Sequence, residues 1–178
     1  MEAKDVMIDL ETLGNGKNAC VVQIGACYFN RETGEIGDKF KVNVDAESAM
    51  RSGADMDAST VYWWLSQSPE AIASIIAQPR VSIEQAFTDL NVFLSGARAI
   101  WSHATFDFVT ITETYKRLNI KPLFGFRAAR DIRTLVDLAK ITVDGRVRIG
   151  THHDGLADAI HQVGYCVEAL NKIKRRQE

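Results

Sequence analysis

The sequence predicts an α/β sandwich built on a mixed sheet, and two features of its pattern support this fold class. Three apolar segments near the start of the chain are separated by turn-forming residues, as in an antiparallel meander. After residue 57 the pattern changes to amphipathic helical segments with a further apolar strand between them. Such an order of elements is typical of helices packed on a mixed sheet.

The predicted strands are short apolar runs with turn residues between them. They cover residues 4–9, 19–29, 36–44 and 98–102. Gly14 and Gly16 flank Asn15 in the turn after the first strand, and residues 32–35 supply turn chemistry before the third. The first three strands are therefore expected to pair as an antiparallel meander.

The predicted helices begin at capping residues and carry apolar side chains at helical spacing. They cover residues 60–66, 71–77, 83–94, 106–118, 132–140 and 154–172. Ser68 is expected to cap a helix with Pro69 at its first position, and Ser82 with Gln85 matches a capping box. The last helix is the longest, and its apolar residues form one stripe, which predicts one buried face.

Composition limits the class of protein. The chain has 178 residues, of which 46% are hydrophobic, and it has no run of 18 apolar residues. This excludes a disordered chain and a transmembrane helix, and it predicts one domain over residues 1–178 with residues 173–178 as a basic tail. The charged start of the chain is unlike a signal peptide, so we expect a cytoplasmic protein with no membrane partner.

Charge and cysteine usage add two expectations. The formal net charge is −2, so bulk positive charge cannot hold a nucleic acid, and such a partner needs local basic patches or bound metal. The three cysteines (Cys20, Cys27 and Cys166) contain no C-x-x-C pair and are expected to be buried, reduced thiols.

Asp9 and Glu11 lie at the end of the first predicted strand with one residue between them. Side chains two residues apart on a strand point the same way, so the two carboxylates lie side by side. Without a cation they repel and raise each other's pKa. The pair therefore indicates a divalent-cation site, and the alternative is a solvated strand end.

Asp107 and Asp158 are two further carboxylates near helix starts. Asp107 lies between Phe106 and Phe108, where it either complements the helix dipole or contributes to a site at the edge of the core. Asp158 follows His153 by five residues. Because five residues turn a helix through about 500°, the two converge only if His153 lies on the loop before the helix. The alternative for His153 is a cap or a surface residue.

In combination, D-x-E near the start, F-D at mid-chain and H-x4-D near the end resemble the DEDDh family of 3′–5′ exonucleases. Further similarity to its small exonuclease-VIII-like exoribonuclease branch lies in residues 7–14, 22–26, 63–71 and 153–159, and the whole resemblance spans about residues 4–170. It implies a ribonuclease-H-like, three-layer α/β/α fold with a mixed five-stranded sheet. It also implies 3′–5′ hydrolysis of single-stranded RNA or DNA, with RNA favoured, to 5′-mononucleotides.

The resemblance implies a role for each of the five catalytic residues. Asp9, Glu11, Asp107 and Asp158 would hold two Mg²⁺ or Mn²⁺ ions, and His153 would be the general base. His153 is preferred to His152 because the five-residue interval from His153 ends at Asp158.

Candidate substrate contacts surround these groups. The resemblance implies that Leu10, Thr12 and Leu13 help to hold the terminal nucleotide. Of the neighbours Trp63 and Trp64, one is expected in the core and the other on a base, and Trp64 is assigned to the substrate. Phe108 is also assigned to the substrate, with core packing as its alternative. Arg148 is assigned to the substrate because it lies in a basic region that is expected to contact backbone phosphates. Related exonucleases also suggest a homodimer.

Gly155 lies where the family pattern has a bulkier small residue, which predicts a looser loop around His153.

Three other functions compete with the exonuclease. They are a catalytically silent nucleic-acid-binding module on the same fold, a ribonuclease-H-type endonuclease and an unrelated metal-binding domain. The filled acidic positions and the H-x4-D pairing favour the exonuclease.

Overall fold

The structure is a computed structural model that describes residues 5–148 and 150–176. Its strands are β1 (Asp5–Thr12), β2 (Val21–Phe29), β3 (Ile36–Val44), β4 (Arg80–Val81), β5 (Ala99–Ser102) and β6 (Ala129–Asp131). They form one sheet in the order β4-β3-β2-β1-β5-β6. Strands β1, β2 and β3 pair antiparallel, whereas β4, β5 and β6 join the sheet parallel to their neighbours. The predicted α/β fold with a mixed sheet is confirmed.

The helices are α1 (Ala46–Arg51), α2 (Ala58–Leu65), α3 (Pro69–Ile76), α4 (Ile83–Phe93), α5 (Asp107–Arg117), α6 (Ile132–Ala139) and α7 (Gly155–Arg175). The side chains of Ser68 and Ser82 accept backbone N–H groups at the starts of α3 and α4, as predicted for capping serines, whereas the Gln85 side chain donates to Asp89 Oδ1 at 2.8 Å. Among the described residues, no helix combines the length and the apolar composition that crossing a bilayer requires.

Three local expectations differ from the structure. The sheet has six strands, whereas the resemblance implied five and the sequence pattern located four. The two strands that the pattern missed, β4 and β6, have two and three residues and are too short to show an alternating pattern. Helix α1 was also not predicted. Residues 173–175, expected in a basic tail, belong to α7, where cationic side chains complement the helix C-terminus. Residues 177–178 and Lys4, the first residue of the first predicted strand, lie outside the described residues.

Apolar side chains pack on both faces of the sheet, and the alternation along β1 decides which face each residue joins. Val6, Ile8 and Leu10 belong to a core cluster that includes residues of α4 and α5. Met7 belongs to a second cluster with residues of α6 and α7. The helices therefore form a layer on each side of the sheet. The odd-numbered residues of β1, which include Asp9 and Glu11, face the α7 side.

The three cysteines are buried and unpaired, which agrees with the expected reduced thiols. Burial raises the pKa of Cys20 to about 11 and the pKa of Cys27 and Cys166 to about 12. Their thiols are therefore neutral at physiological pH and pack as small apolar groups.

Candidate active site

The four carboxylates come from three elements that meet at one place. Strand β1 supplies Asp9 and Glu11, α5 begins with Asp107, and the first turn of α7 supplies Asp158. All four line a cavity of about 310 Å³, and His153 lines it with them. The structure therefore brings together all five residues that the resemblance assigned to catalysis.

Asp107 is fixed by the turn that joins β5 to α5. The backbone N–H of His103 donates to Asp107 Oδ2 at 3.0 Å, and the N–H of Asp107 donates to the carbonyl of His103 at 3.0 Å. The side chain of Asp107 is buried. The carboxylate thus closes the turn that starts its own helix and has little freedom to move.

Helix α7 starts in direct contact with the sheet. The N–H of Gly155 donates to Gln23 Oε1 at 2.7 Å. A Cβ on Gly25 would lie 2.0 Å from the Gly155 carbonyl carbon and the Leu156 nitrogen, and a Cβ on Gly155 would lie 3.2 Å from the Asp9 carbonyl oxygen. The expectation of a looser loop at Gly155 is therefore wrong, since the absent side chain lets helix and strand approach closely.

Asp154, the N-cap of α7, ties the loop that carries His153 to other elements. Its carboxylate accepts the N–H of Ala157 at 3.1 Å and the hydroxyl of Ser74 at 2.5 Å, and it pairs with Lys41. Gln23 Nε2 donates to the carbonyl of Ser74 at 3.0 Å. Strands β2 and β3 and helix α3 therefore hold the start of α7.

His153 occupies the turn before α7 in a left-handed conformation with φ of 60°. This conformation is uncommon for a residue with a side chain. Its backbone N–H points to Asp158 Oδ2 at 3.3 Å. The imidazole lies edge-on to the Trp63 ring, with 4.7 Å between centroids, and stacks on the His152 ring at 3.8 Å. His153 therefore precedes the helix and still lies beside Asp158.

The carboxylates repel one another in a buried environment. Burial, and then the charges of Asp107, Glu11 and Asp158, raise the pKa of Asp9 well above its usual value. Burial likewise raises the pKa of Glu11 to about 8 and that of Asp107 to about 7. The pKa of Asp158 is raised by burial, although Arg148 opposes the shift. Such a cluster is stable in the ionised form only when a cation is added.

The donor atoms fit divalent cations. Glu11 Oε1 is buried and has no hydrogen-bond partner among the described residues. Ligand atoms of Asp9, Glu11 and Asp158 lie within 4.8 Å of one another, and those of Asp9, His103 and Asp107 form a second such set. Asp9 is common to both sets. Carboxylate oxygens are the ligands that Mg²⁺ and Mn²⁺ prefer.

One face of α7 contributes residues that the sequence analysis did not single out. Gln162 and Tyr165 follow Asp158 at four and seven residues, and with His161 they line the same cavity. Gln162 Nε2 donates to Asp9 Oδ1 at 2.7 Å, while Gln162 Oε1 is buried without a partner among the described residues. Helical spacing counted from Asp158 was the signal that could have found them.

The two tryptophans take the opposite places from those assigned. Trp64 is only 4% exposed, belongs to the core, and its Nε1 donates to the carbonyl of Thr12 at 2.8 Å. Trp63 is 43% exposed and contacts His153. A base therefore has access to Trp63, whereas the ring of Trp64 supports β1.

The other candidate substrate contacts differ in their exposure. Leu10 is buried in the core and lines the cavity, and the Thr12 hydroxyl donates to the carbonyl of Gly14 at 2.6 Å. Leu13 and Phe108 are half-buried against the core, and the Phe108 ring contacts Phe124. Arg148 Nη2 lies 2.6 Å from Asp158 Oδ1, inside the cavity.

Comparison with protein families matches residues 4–170 to the 3′–5′ exoribonuclease Rv2179c-like domain. An exodeoxyribonuclease of Enterobacteria phage T4 is 27% identical over 88% of this chain and 86% of the phage protein. The nuclease domain of 3′hExo, a DEDDh family member bound to rAMP, shares the fold with a TM-score of 0.62 at 12% identity, over 94% of this chain and 91% of that domain. Apo exonuclease I matches with a TM-score of 0.68 at 13% identity, over 98% of this chain and 43% of that protein.

Proposed function

The chain belongs to the family of 3′–5′ exoribonuclease Rv2179c-like domains and is a 3′–5′ exonuclease of the DEDDh type, and from this we propose the following reaction for its site. Its site hydrolyses single-stranded nucleic acid from the 3′ end to 5′-mononucleotides, with RNA preferred to DNA. The observation that carries the proposal is the convergence of Asp9, Glu11, Asp107 and Asp158 in one cavity beside His153.

The proposed cofactors are two Mg²⁺ or Mn²⁺ ions. Asp9, Glu11 and Asp158 would hold one, and Asp9 with Asp107 would hold the other. When bound, the ions would activate a water and stabilise the leaving 3′ oxygen. The unpartnered Glu11 Oε1 and the raised carboxyl pKa values support this assignment.

The proposed general base is His153. Burial, followed by the influence of His152 and Arg148, lowers the pKa of its imidazole to about 4. The ring is therefore neutral at physiological pH and has a lone pair that can accept a proton from the attacking water. The contact with Trp63 limits the movement of the ring.

The proposed preference for RNA over DNA rests on the comparisons with known proteins. The matching family is described as exoribonucleases, and 3′hExo binds rAMP, whereas the phage T4 relative is an exodeoxyribonuclease. We therefore place RNA first and keep DNA as the comparison. Arg148, which lines the cavity, is the proposed contact to phosphate. Trp63, whose ring contacts His153 at the side of the cavity, is the proposed contact to a base. The homodimer suggested by the resemblance is part of the proposal, and light scattering tests it.

The test uses single-stranded RNA and DNA of one sequence, each labelled at the 5′ end, with Mn²⁺ or with EDTA. We expect a ladder that shortens from the 3′ end with Mn²⁺, faster for RNA, and no cleavage with EDTA. A substrate labelled at the 3′ end should release a labelled mononucleotide first. Internal cuts, cleavage from the 5′ end or turnover in EDTA would contradict the proposal.

A further inference from the structure

A cluster of His152, His153 and Asp158 lies at the cavity, and the proposed exonuclease reaction has no role for His152. One ligand atom from each of the three residues lies within 4.8 Å of the others. The two imidazole rings stack with centroids 3.8 Å apart, and His152 is exposed. We propose that these three residues bind Zn²⁺ and that zinc bound there inhibits the exonuclease.

The ligand chemistry separates this cluster from the carboxylate sites. Two imidazole nitrogens and one carboxylate oxygen, with an open fourth position, are a common ligand set for zinc, whereas Mg²⁺ prefers oxygen ligands alone. At Zn–N and Zn–O lengths near 2.1 Å, tetrahedral ligand atoms are about 3.4 Å apart. The three ligand atoms, which lie within 4.8 Å of one another, therefore have to move closer, and the exposed side chain of His152 is the member of the cluster best able to move. Zinc also binds nitrogen ligands more tightly than Mn²⁺ does.

Asp158 has an oxygen available for this ion. Its Oδ1 is held by Arg148 at 2.6 Å. Among the described residues, its Oδ2 has only the longer contact of 3.3 Å from the backbone N–H of His153. A cation can therefore approach Oδ2 while the ion pair with Arg148 stays in place.

Inhibition follows from the two residues that the cluster shares with the reaction, and in this respect the inference rests on the proposed function. A zinc ion on the His153 ring occupies the lone pair that would accept the proton of the attacking water. The same ion draws Asp158 away from the carboxylate site. We therefore expect zinc to lower kcat even when Mg²⁺ is saturating.

The experiment measures metal binding and activity separately, on the full chain. Binding of Zn²⁺ alone is followed by calorimetry with saturating Mg²⁺ present, and Co²⁺ serves as a visible-absorption probe of tetrahedral nitrogen coordination. The variants are His152→Ala and, as the matched control, His161→Ala, because His161 lines the same cavity but lies outside the cluster. Activity is titrated with Zn²⁺ in saturating Mg²⁺, and each variant is normalised to its own zinc-free rate.

We expect micromolar zinc to inhibit the wild-type chain and His161→Ala equally. His152→Ala should keep its Mg²⁺-dependent activity, bind Zn²⁺ at least about tenfold more weakly and lose the Co²⁺ bands. Equal zinc sensitivity of His152→Ala would overturn the proposal, because the inhibition would then arise at the carboxylates. Absence of zinc binding in the presence of Mg²⁺ would overturn it too.

Failure of the proposed function gives a different result. A chain without exonuclease activity that still binds Zn²⁺ through His152 would support the metal site and overturn the inhibition together with the proposed function. An active exonuclease without such binding would overturn only the zinc site.

Discussion

Asp5 and Asp9 are two buried carboxylates on one face of β1, and their partners differ. Asp5 accepts hydrogen bonds from two arginine side chains and an indole N–H, with the closest contacts at 2.6 and 2.8 Å. Asp9 accepts the amide of Gln162 and otherwise faces three carboxylates. The first charge is neutralised within the protein, whereas the second needs an ion from solution.

This contrast predicts that replacing aspartate by asparagine has opposite effects on the stability of the ion-free protein at the two positions. Asp9→Asn should abolish turnover with Mn²⁺ and raise the melting temperature of the ion-free protein at pH 8 by a few degrees, or roughly 1 kcal/mol for a chain of this size. The increase is expected because the substitution removes a repelled charge. Asp5→Asn, the matched control, should destabilise the protein by about 2–3 kcal/mol, because it weakens charge-assisted hydrogen bonds. Equal losses of melting temperature in EDTA would show that Asp9 is a structural residue.

The imidazole of His153 should contribute to the rate but not to cation binding. We expect His153→Ala to lower kcat by about 10²–10⁴-fold, the range typical of a general base. Its affinity for Mn²⁺, measured by calorimetry without substrate, should stay close to that of the wild-type chain. A large loss of Mn²⁺ affinity with an unchanged rate at saturating metal would assign His153 to the cation site.

The carboxylates, rather than His153, should determine where kcat/KM falls on the acid side of its pH profile. The pKa of His153 is lowered to about 4, whereas the pKa of Asp107 is raised to about 7 and that of Glu11 to about 8. Protons therefore compete with the cations for the carboxylates as pH falls, and more Mn²⁺ should move the limb of kcat/KM to lower pH. A limb that is independent of Mn²⁺ concentration would assign the titration to another group.

At the scale of elements, α7 supplies Asp158 and the amide that contacts Asp9. Its position depends on the close approach between Gly155 and Gly25. A side chain at Gly25 would separate the helix from the sheet and displace Asp158 from Asp9. The geometry of the carboxylates is therefore set by helix–strand packing as well as by the identity of the acidic residues.

Gly25→Ala and Gly164→Ala test this dependence on packing. Gly25→Ala should lower the melting temperature by several degrees and weaken Mn²⁺ binding, because its Cβ would lie 2.0 Å from the backbone of α7. Gly164 is an exposed glycine inside α7 with no atom within 4 Å of an added Cβ. Gly164→Ala should stabilise the protein by about 0.5–1 kcal/mol and leave Mn²⁺ binding unchanged. Wild-type Mn²⁺ affinity in Gly25→Ala would contradict the role given to the contact.

Regular periodicity made the long helices and strands predictable from the sequence. Features without such a periodicity could not be predicted. The stripe of α7 and the alternation that places Asp9 beside Glu11 follow from the sequence alone. The tryptophan order does not, because adjacent residues on a helix differ by about 100° and either one can face the core. Gln23 was also missed as a support of α7, since a single amide inside an apolar strand shows no partner until the helix is in place.

At the scale of the whole molecule, the site lies where parallel strands end. Strands β1 and β5 are parallel neighbours, Asp9 and Glu11 are near the carboxyl end of β1, and Asp107 follows β5. Loops that leave neighbouring parallel strands emerge at the same edge of a sheet, which brings these residues together despite their separation along the chain. Helix α7 begins at the same edge and places Asp158 beside these residues.

The repulsion within this site should make the ion-free protein less stable as pH rises above neutrality. The folded-state pKa values of Asp9, Glu11 and Asp107 are raised above their unfolded values, so the folded chain binds more protons over that interval. Stability is then highest at low pH for these groups and is lost as pH rises through about 8. His103 and His153, with lowered pKa values, act in the opposite direction, but only below about pH 6.5.

Melting curves in EDTA between pH 6.5 and 9 should therefore show a falling melting temperature. Saturating Mg²⁺ should reverse the fall, because cations bind the ionised carboxylates of the folded chain, and the gap between the two curves should widen with pH. The double variant Asp9→Asn/Glu11→Gln should give a flatter curve in EDTA and little response to Mg²⁺. A melting temperature that rises with pH in EDTA would mean that these carboxylates are already neutralised within the protein, and the cation-dependent site would then have no physical basis.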